Sequence, residues 1–247
     1  MRISIVIPMY NEEKGIKESL LTLHNAMSSA LPQDEFEIVA VNDGSSDNTA
    51  GIVFTLLDRL PGLRLIDLPA NQGKGGALKA GMTAACGNFV LFTDSDLAYG
   101  CDAIISFLNA FEEGRGKAIL GSRALSKNGY KGYSFSRKVL SKGYLWLIKL
   151  VAGFDYSDSQ CGIKGFERSL ARRLFDDLET TGFAFDLEIL LRLKDLKVPV
   201  CQMPVRIINH GTSSVHPIKD SFKMFGDLLA IKKRRRKKKR AQKNNNA

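Results

Sequence analysis

Acidic and amide side chains recur in this sequence directly after short apolar runs, at spacings suited to a cation and a phosphate-bearing ligand. Asp94-Ser95-Asp96 follows Asn88–Thr93 and puts two carboxylates within reach of one divalent ion. A hard cation such as Mg2+ or Mn2+ held this way keeps open positions for diphosphate oxygens. It would neutralise the charge that develops on a departing nucleoside diphosphate. Asn42-Asp43-Gly44-Ser45 closes the run Glu37–Val41, and Tyr10-Asn11-Glu12 follows Ile3–Pro8. Asn71-Gln72-Gly73-Lys74-Gly75-Gly76 is a glycine-rich turn ahead of a helical stretch, where backbone amides and Lys74 can approach phosphate. It matches neither the Walker loop nor the GxGxxG fingerprint.

Such clusters do chemistry together only if a frame gathers them. Ile3–Pro8, Glu37–Val41, Leu63–Leu68, Asn88–Thr93, Ala118–Arg123 and Val198–Ile208 read as strands. Between them, Glu12–Ala30 carries Ile16, Leu20, Leu23 and Met27 at helical spacing, and Ala50–Leu60 and Gly75–Ala85 read as further helices. After Asp102 the pattern loosens. Lys138–Val151, with Trp146, is an amphipathic helix, 155–165 is turn-like, and helices start near Arg168 and Asp186. Asp220–Ile231 is the last helix. Alternating strands and helices predict an α/β fold with a mainly parallel central sheet. Ligands of such sheets sit outside the carboxyl ends of the strands, where all three acid-bearing segments fall.

Length and composition agree with a single globular domain plus a short appendage: 247 residues, 44% hydrophobic and 25% charged. The expected division is one domain over 1–231, in two halves (1–117 and 118–231), and a disordered polybasic tail over 232–247. No apolar run approaches the roughly 18 residues of a membrane span, and the N-terminal residues do not read as a signal peptide. The net charge of +10 is accounted for by Lys232–Arg240 and Lys243, with no acid after Asp227, so the body is neutral. Cys86, Cys101, Cys161 and Cys201 have neither metal-knuckle nor disulfide-framework spacing and are expected buried and reduced. His24 is expected on the surface of the first helix. His210 and His216 lie in a polar loop, and no structural zinc site is expected.

In this order, Ile5-Val6-Ile7-Pro8-Met9-Tyr10-Asn11-Glu12, Val41-Asn42-Asp43-Gly44-Ser45-Ser46-Asp47, Asn71-Gln72-Gly73-Lys74-Gly75 and Asp94-Ser95-Asp96 resemble the inverting family 2 glycosyltransferases. The resemblance implies a GT-A fold, with a Rossmann-like nucleotide half and a mixed acceptor half. It implies that Pro8, Tyr10, Glu12 and Asp43 line the nucleotide pocket, Asp43 facing the base. It further implies that Lys74, Asp94 and Asp96 serve the diphosphate, Asp94 and Asp96 as metal ligands, and Asp96 as a catalytic residue. Asn42 stands where many relatives carry an Asp. Gly121-Ser122-Arg123, Ser136-Arg137, Asp158-Ser159-Gln160-Cys161-Gly162-Ile163-Lys164 and Phe183-Ala184-Phe185-Asp186-Leu187-Glu188 look like the dolichyl- and polyprenyl-phosphate sugar synthases, on the glucosyl side of that group. Gln160, Lys164 and Asp186 are then acceptor-side residues. Ala98 replaces a Gln metal ligand of mannosyl relatives, and Ser214 replaces the Lys of their Gly-x-Ser-Lys loop.

The implied substrates are a nucleotide sugar, UDP-glucose ahead of GDP-mannose, and a polyprenyl phosphate. The latter is already anionic and needs no general base, only positive charge to hold it in line, which Arg123 and Arg137 can supply. A transferase acting on a glycan hydroxyl would instead need a carboxylate base, for which Asp158 or Asp186 would serve. For a lipid acceptor the basic run 232–240 reads as an electrostatic clamp on an anionic membrane, placing the enzyme peripherally at a cytoplasmic membrane face, alone or with a membrane partner subunit. Nucleic-acid binding through that run is the alternative, disfavoured by the neutral body.

Overall fold

A computed structural model of the chain describes residues 2–127, 153, 156–182, 184–209 and 226–237. Seven strands form one sheet: β1 (Ile3–Met9), β2 (Phe36–Asn42), β3 (Leu63–Asp67), β4 (Phe89–Phe92), β5 (Ala118–Ser122), β6 (Lys164–Glu167) and β7 (Val200–Pro204). Their order is β3-β2-β1-β4-β6-β5-β7. Every pairing is parallel except those of β6, which runs antiparallel to both β4 and β5. The helices are α1 (Ile16–Ala30), α2 (Thr49–Phe54), α3 (Lys74–Ala84), α4 (Cys101–Glu112), α5 (Arg168–Phe175), α6 (Phe185–Asp195) and α7, residues 226–237.

Strands buried on both faces read as continuous apolar runs rather than alternating ones, and β1 and β2 do so because helices cover each side. Ile3, Ile5 and Ile7 belong to one core with Leu20 and Leu23 of α1 and Ile104 and Phe107 of α4. Val6, Val41 and Phe92 belong to the other, with Leu78 of α3, Leu174 of α5 and Leu190 of α6.

Several expectations shift. α4 was not anticipated, although Ile104, Phe107 and Leu108 have helical spacing and are all buried. β6 lies where a turn running into a helix was expected; its Lys-Gly-Phe-Glu sequence offers Phe166 as its one large apolar side chain. His24 is not a surface residue: its ring is buried edge-on against Phe36, with Nε2 3.1 Å from the Pro61 carbonyl oxygen. Of the cysteines, all free, Cys161 is buried but Cys86 is exposed, so burial does not describe the set. The last helix does not stop at 231. It continues to 237 with Leu228 and Ile231 in the core, so 232–237 are helix rather than a disordered tail. Arg137, the Trp146 segment, His210, His216 and the Gly211–Ser214 loop lie outside the described residues.

Candidate active site

β1, β2, β4 and β5 end at one edge of the sheet, and antiparallel β6 begins there, since Lys164 pairs with both Phe92 and Leu120. Near the end of β1, Pro8 is half-buried, and just beyond the strand Tyr10 is 48% exposed. Asn11 adopts a left-handed backbone (φ 56°), a conformation that asparagine tolerates better than most residues. Its N–H donates to Ser45 Oγ (2.9 Å) and its Oδ1 accepts from the Ser46 N–H (2.8 Å), so the turns after β1 and β2 are laced together. Asn42 donates from Nδ2 to Asp67 Oδ1 at 2.7 Å and accepts from Ser45 Oγ. An Asp at 42 would face the Asp67 carboxylate there, which gives the amide a structural reason. Asp43 is buried and accepts the Gln72 N–H (2.7 Å), pinning the glycine-rich turn to β2. Burial pushes its carboxyl up, against the amides of Gln72 and Gly73.

Lys74 opens α3, and its ammonium meets Asp94 Oδ1. Burial disfavours that charge, but Asp94, Asp186 and Asp96 outweigh it and hold the ammonium above its ordinary value. Asp96 accepts the Ala98 N–H at 3.0 Å, and its carbonyl accepts from Asn209 Nδ2 at 3.0 Å. Its carboxyl is raised, by burial first and by Asp94 second. Glu12 is raised as well, chiefly by burial, with Asp96, Asp47 and Asp94 adding to it, while Ser95 Oγ donates to it at 2.9 Å. Excess negative charge thus accumulates at the end of β4. Among the described residues no group of three or more His, Cys, Asp or Glu forms a metal cage. The donor set instead fits a hard cation that takes one or two carboxylates and completes its shell from diphosphate oxygens.

On the other flank, buried Asp158 and half-buried Arg123 form one unit. Arg123 Nε and Nη2 donate to Asp158 Oδ2 (2.7 Å) and Oδ1 (2.9 Å), and the Arg123 backbone N–H adds a third bond at 3.1 Å. Burial opposes the Asp158 charge, yet Arg123 outweighs it and holds the carboxyl below its ordinary value. The Nε–Nη2 edge of the guanidinium is therefore engaged by Asp158. Gln160 donates its backbone N–H to Asp158 Oδ1 at 3.1 Å, which puts it on the same loop. Lys164 is 0% exposed, and its ammonium donates to Asp186 Oδ1 and to the Cys161 carbonyl, each at 2.6 Å. Burial raises the Asp186 carboxyl, with Lys164 and Lys74 pulling against it.

Two residues with a part in this arrangement carried no assignment from the sequence. Tyr99, buried, accepts the Gly162 N–H on its hydroxyl at 3.0 Å. Gly162 lies so close to the β4 end that a Cβ there would stand 2.0 Å from Asp94 Oδ2. Gly162 was visible in the Gln-Cys-Gly-x-Lys string; Tyr99 had no signal. Gly162→Ala is expected to displace Asp94 from Lys74, lowering stability by about 1–3 kcal/mol. Thermal unfolding checks this, and wild-type stability would refute the close-approach argument.

Curated relatives share this sequence across most of its length. A dolichyl-phosphate beta-glucosyltransferase of Drosophila melanogaster is 33% identical over 94% of this chain and 74% of that protein. One of Dictyostelium discoideum is 29% identical over 93% and 73%. Among solved structures, glucosyl-3-phosphoglycerate synthase from Mycobacterium tuberculosis, in complex with Mn2+, UDP-glucose and phosphoglyceric acid, superposes with a TM-score of 0.67. The identity is 19%, with 93% of this chain and 79% of that chain covered, which shows the shared GT-A fold. The model of glycosyl transferase family 2 matches residues 4–175, from β1 through α5 and so across every acid-bearing strand end described above, and the chain belongs to that family.

Proposed function

We propose that the protein transfers glucose from UDP-glucose to a polyprenyl phosphate of the dolichyl type, with inversion at the anomeric carbon. The observation that carries the reading is the 33% identity, over 94% of the chain, to a dolichyl-phosphate beta-glucosyltransferase. In this reading Asp43, with Tyr10, Pro8 and Glu12, receives the nucleoside, and Lys74 holds the diphosphate beside Asp94 and Asp96. Those two carboxylates would hold Mg2+ or Mn2+, which when bound supplies positive charge for the leaving diphosphate.

The chain's own residues do the rest. A phosphate oxygen of the acceptor is ionised at neutral pH and attacks the anomeric carbon without surrendering a proton. The new bond forms as the bond to the diphosphate breaks, and the leaving charge is met by the preorganised Lys74 ammonium. On the acceptor flank, a phosphate reaching Arg123 meets a guanidinium whose Nε–Nη2 edge Asp158 holds in place.

The glycan-hydroxyl alternative is disfavoured by both carboxylates offered as its base. Asp158 is bound to Arg123 and held below its ordinary value, a poor proton acceptor, and Asp186 is bound to Lys164 inside the fold. Among the described residues no helix is long and apolar enough to cross a membrane. In our reading the basic run 232–240 meets an anionic lipid surface instead, with Leu229, Lys233, Arg236 and Lys237 exposed on α7.

The test is product formation by the purified protein with Mg2+ or Mn2+. UDP-glucose and GDP-mannose are each offered with a polyprenyl phosphate or with free glycans. Glucosyl polyprenyl phosphate is the expected product, lost on chelation. Transfer to glycan hydroxyls alone would replace this reading with its alternative.

A further inference from the structure

Neighbouring arginines of α7 reach different parts of the molecule. Arg235 pairs with Asp195 at the end of α6, at 2.6 Å. Arg234 turns instead to the segment before α6: its Nη2 donates to Thr180 Oγ1 at 2.9 Å, and its guanidinium lies 3.3 Å from Glu179 and 3.7 Å from Glu188. An exposed arginine pair contributes little by itself. Here, however, the target is a buried node. Glu188, 4% exposed, accepts the Thr180 N–H at 3.0 Å and the Thr180 hydroxyl, so Arg234 completes the clasp on one residue.

The opposite side of that segment touches the proposed donor site. The first amides of a helix have no partner within it. In α3 the Gly75 N–H finds one in the Thr181 carbonyl, at 2.7 Å. Contact is tight: a Cβ at Gly73, whose φ is +79°, would stand 2.7 Å from the same carbonyl oxygen. Thr181 therefore fixes the residues on both sides of Lys74, and Lys74 is the cation on Asp94. A continuous path of bonded groups joins the foot of the basic helix to the end of β4.

We infer that Arg234 is a positioning residue for the donor diphosphate: through Thr180 and Thr181 it sets the first turn of α3, and so the placement of Lys74 against Asp94. The inference rests on the reading that Lys74 and Asp94 receive a nucleoside diphosphate. It divides the basic tract into two jobs, one arginine holding the segment that packs on α3 and the outward residues of α7 facing solvent.

The experiment uses the full chain, with UDP as the titrant, GDP as a second probe and Mn2+ present. Arg234→Ala is expected to weaken UDP binding about fivefold, the size of coupling usual for groups in one network. It should also speed hydrogen exchange at the Gly75 amide. Arg234→Lys should recover part of the loss. Arg235→Ala removes the same charge and also one ion pair of α7, and should leave UDP binding at the wild-type value. In a Lys74→Ala background, Arg234→Ala should cost nothing further. Equal losses from Arg234→Ala and Arg235→Ala would overturn the inference in favour of general helix docking, and an additive loss in the Lys74→Ala background would overturn it too. Wild-type binding by Arg234→Ala sinks this inference alone, whereas a wild-type protein that binds neither UDP nor GDP sinks the donor-site reading beneath it.

Discussion

Asp96→Asn is expected to lower glucosyl transfer by on the order of 10²-fold or more, while leaving the fold intact and the metal-free protein slightly more stable at neutral pH. Asparagine keeps the oxygen that accepts the Ala98 N–H, so the turn after β4 retains its bond. It removes a charge that burial and Asp94 both oppose in the free protein. In the proposed reading the residue costs stability until a cation and a diphosphate arrive, a trade often found where function needs an unfavourable charge. Steady-state rates beside thermal unfolding in chelator make the check. Wild-type turnover in the Asn variant would remove Asp96 from the chemistry, and a marked fall in melting temperature would show that its role is to hold the fold.

Lys164→Met should destabilise the protein by roughly 3–5 kcal/mol, because it leaves Asp186 without its partner in the interior and strips the Cys161 carbonyl of its donor. A second change, Asp186→Leu, should restore most of that loss, since replacing both members of a buried pair by apolar groups is far less costly than orphaning one. Chemical unfolding of the two variants and the wild type decides it: a double variant no more stable than Lys164→Met would contradict the pairing. The same proteins address the acceptor-side expectation for these residues. A stable double variant that still makes product assigns the pair to the architecture; a stable but inactive one returns it to the acceptor site.

The carboxyl-end edge of the sheet was legible because its polar residues stand immediately after apolar runs, so strand ends and candidate-site carboxylates are written in consecutive letters at Asp43, Asp94 and Asp96. The acceptor flank was less so. β6 is only Lys-Gly-Phe-Glu, and its Lys164 has the composition of a surface residue while being sealed in the sheet by a partner 22 positions away. A pairing over that distance leaves no local pattern. Arg123 shows the same limit in another form: its type and place after β5 suggest a phosphate fork, and only the fold reveals that Asp158 takes its Nε–Nη2 edge. His24 differs for a simpler reason: a polar ring on a helix reads as a surface residue, and only the fold brings Phe36 and the Pro61 carbonyl against it.

The place of β6 in the strand order has a consequence for how this enzyme can be cut or recombined. A boundary at 117/118 separates nucleotide and acceptor halves on paper, yet β6 is inserted between β4 and β5 and hydrogen-bonds to both. A fragment ending at 117 would leave β4 as a raw margin: Phe89-Val90-Leu91-Phe92, four buried apolar residues with one row of backbone amides and carbonyls stripped of its partner. Such a margin recruits any strand it meets, including that of a second fragment. Residues 1–117 are therefore not a portable module, and changing specificity means exchanging loops around an intact sheet rather than exchanging halves.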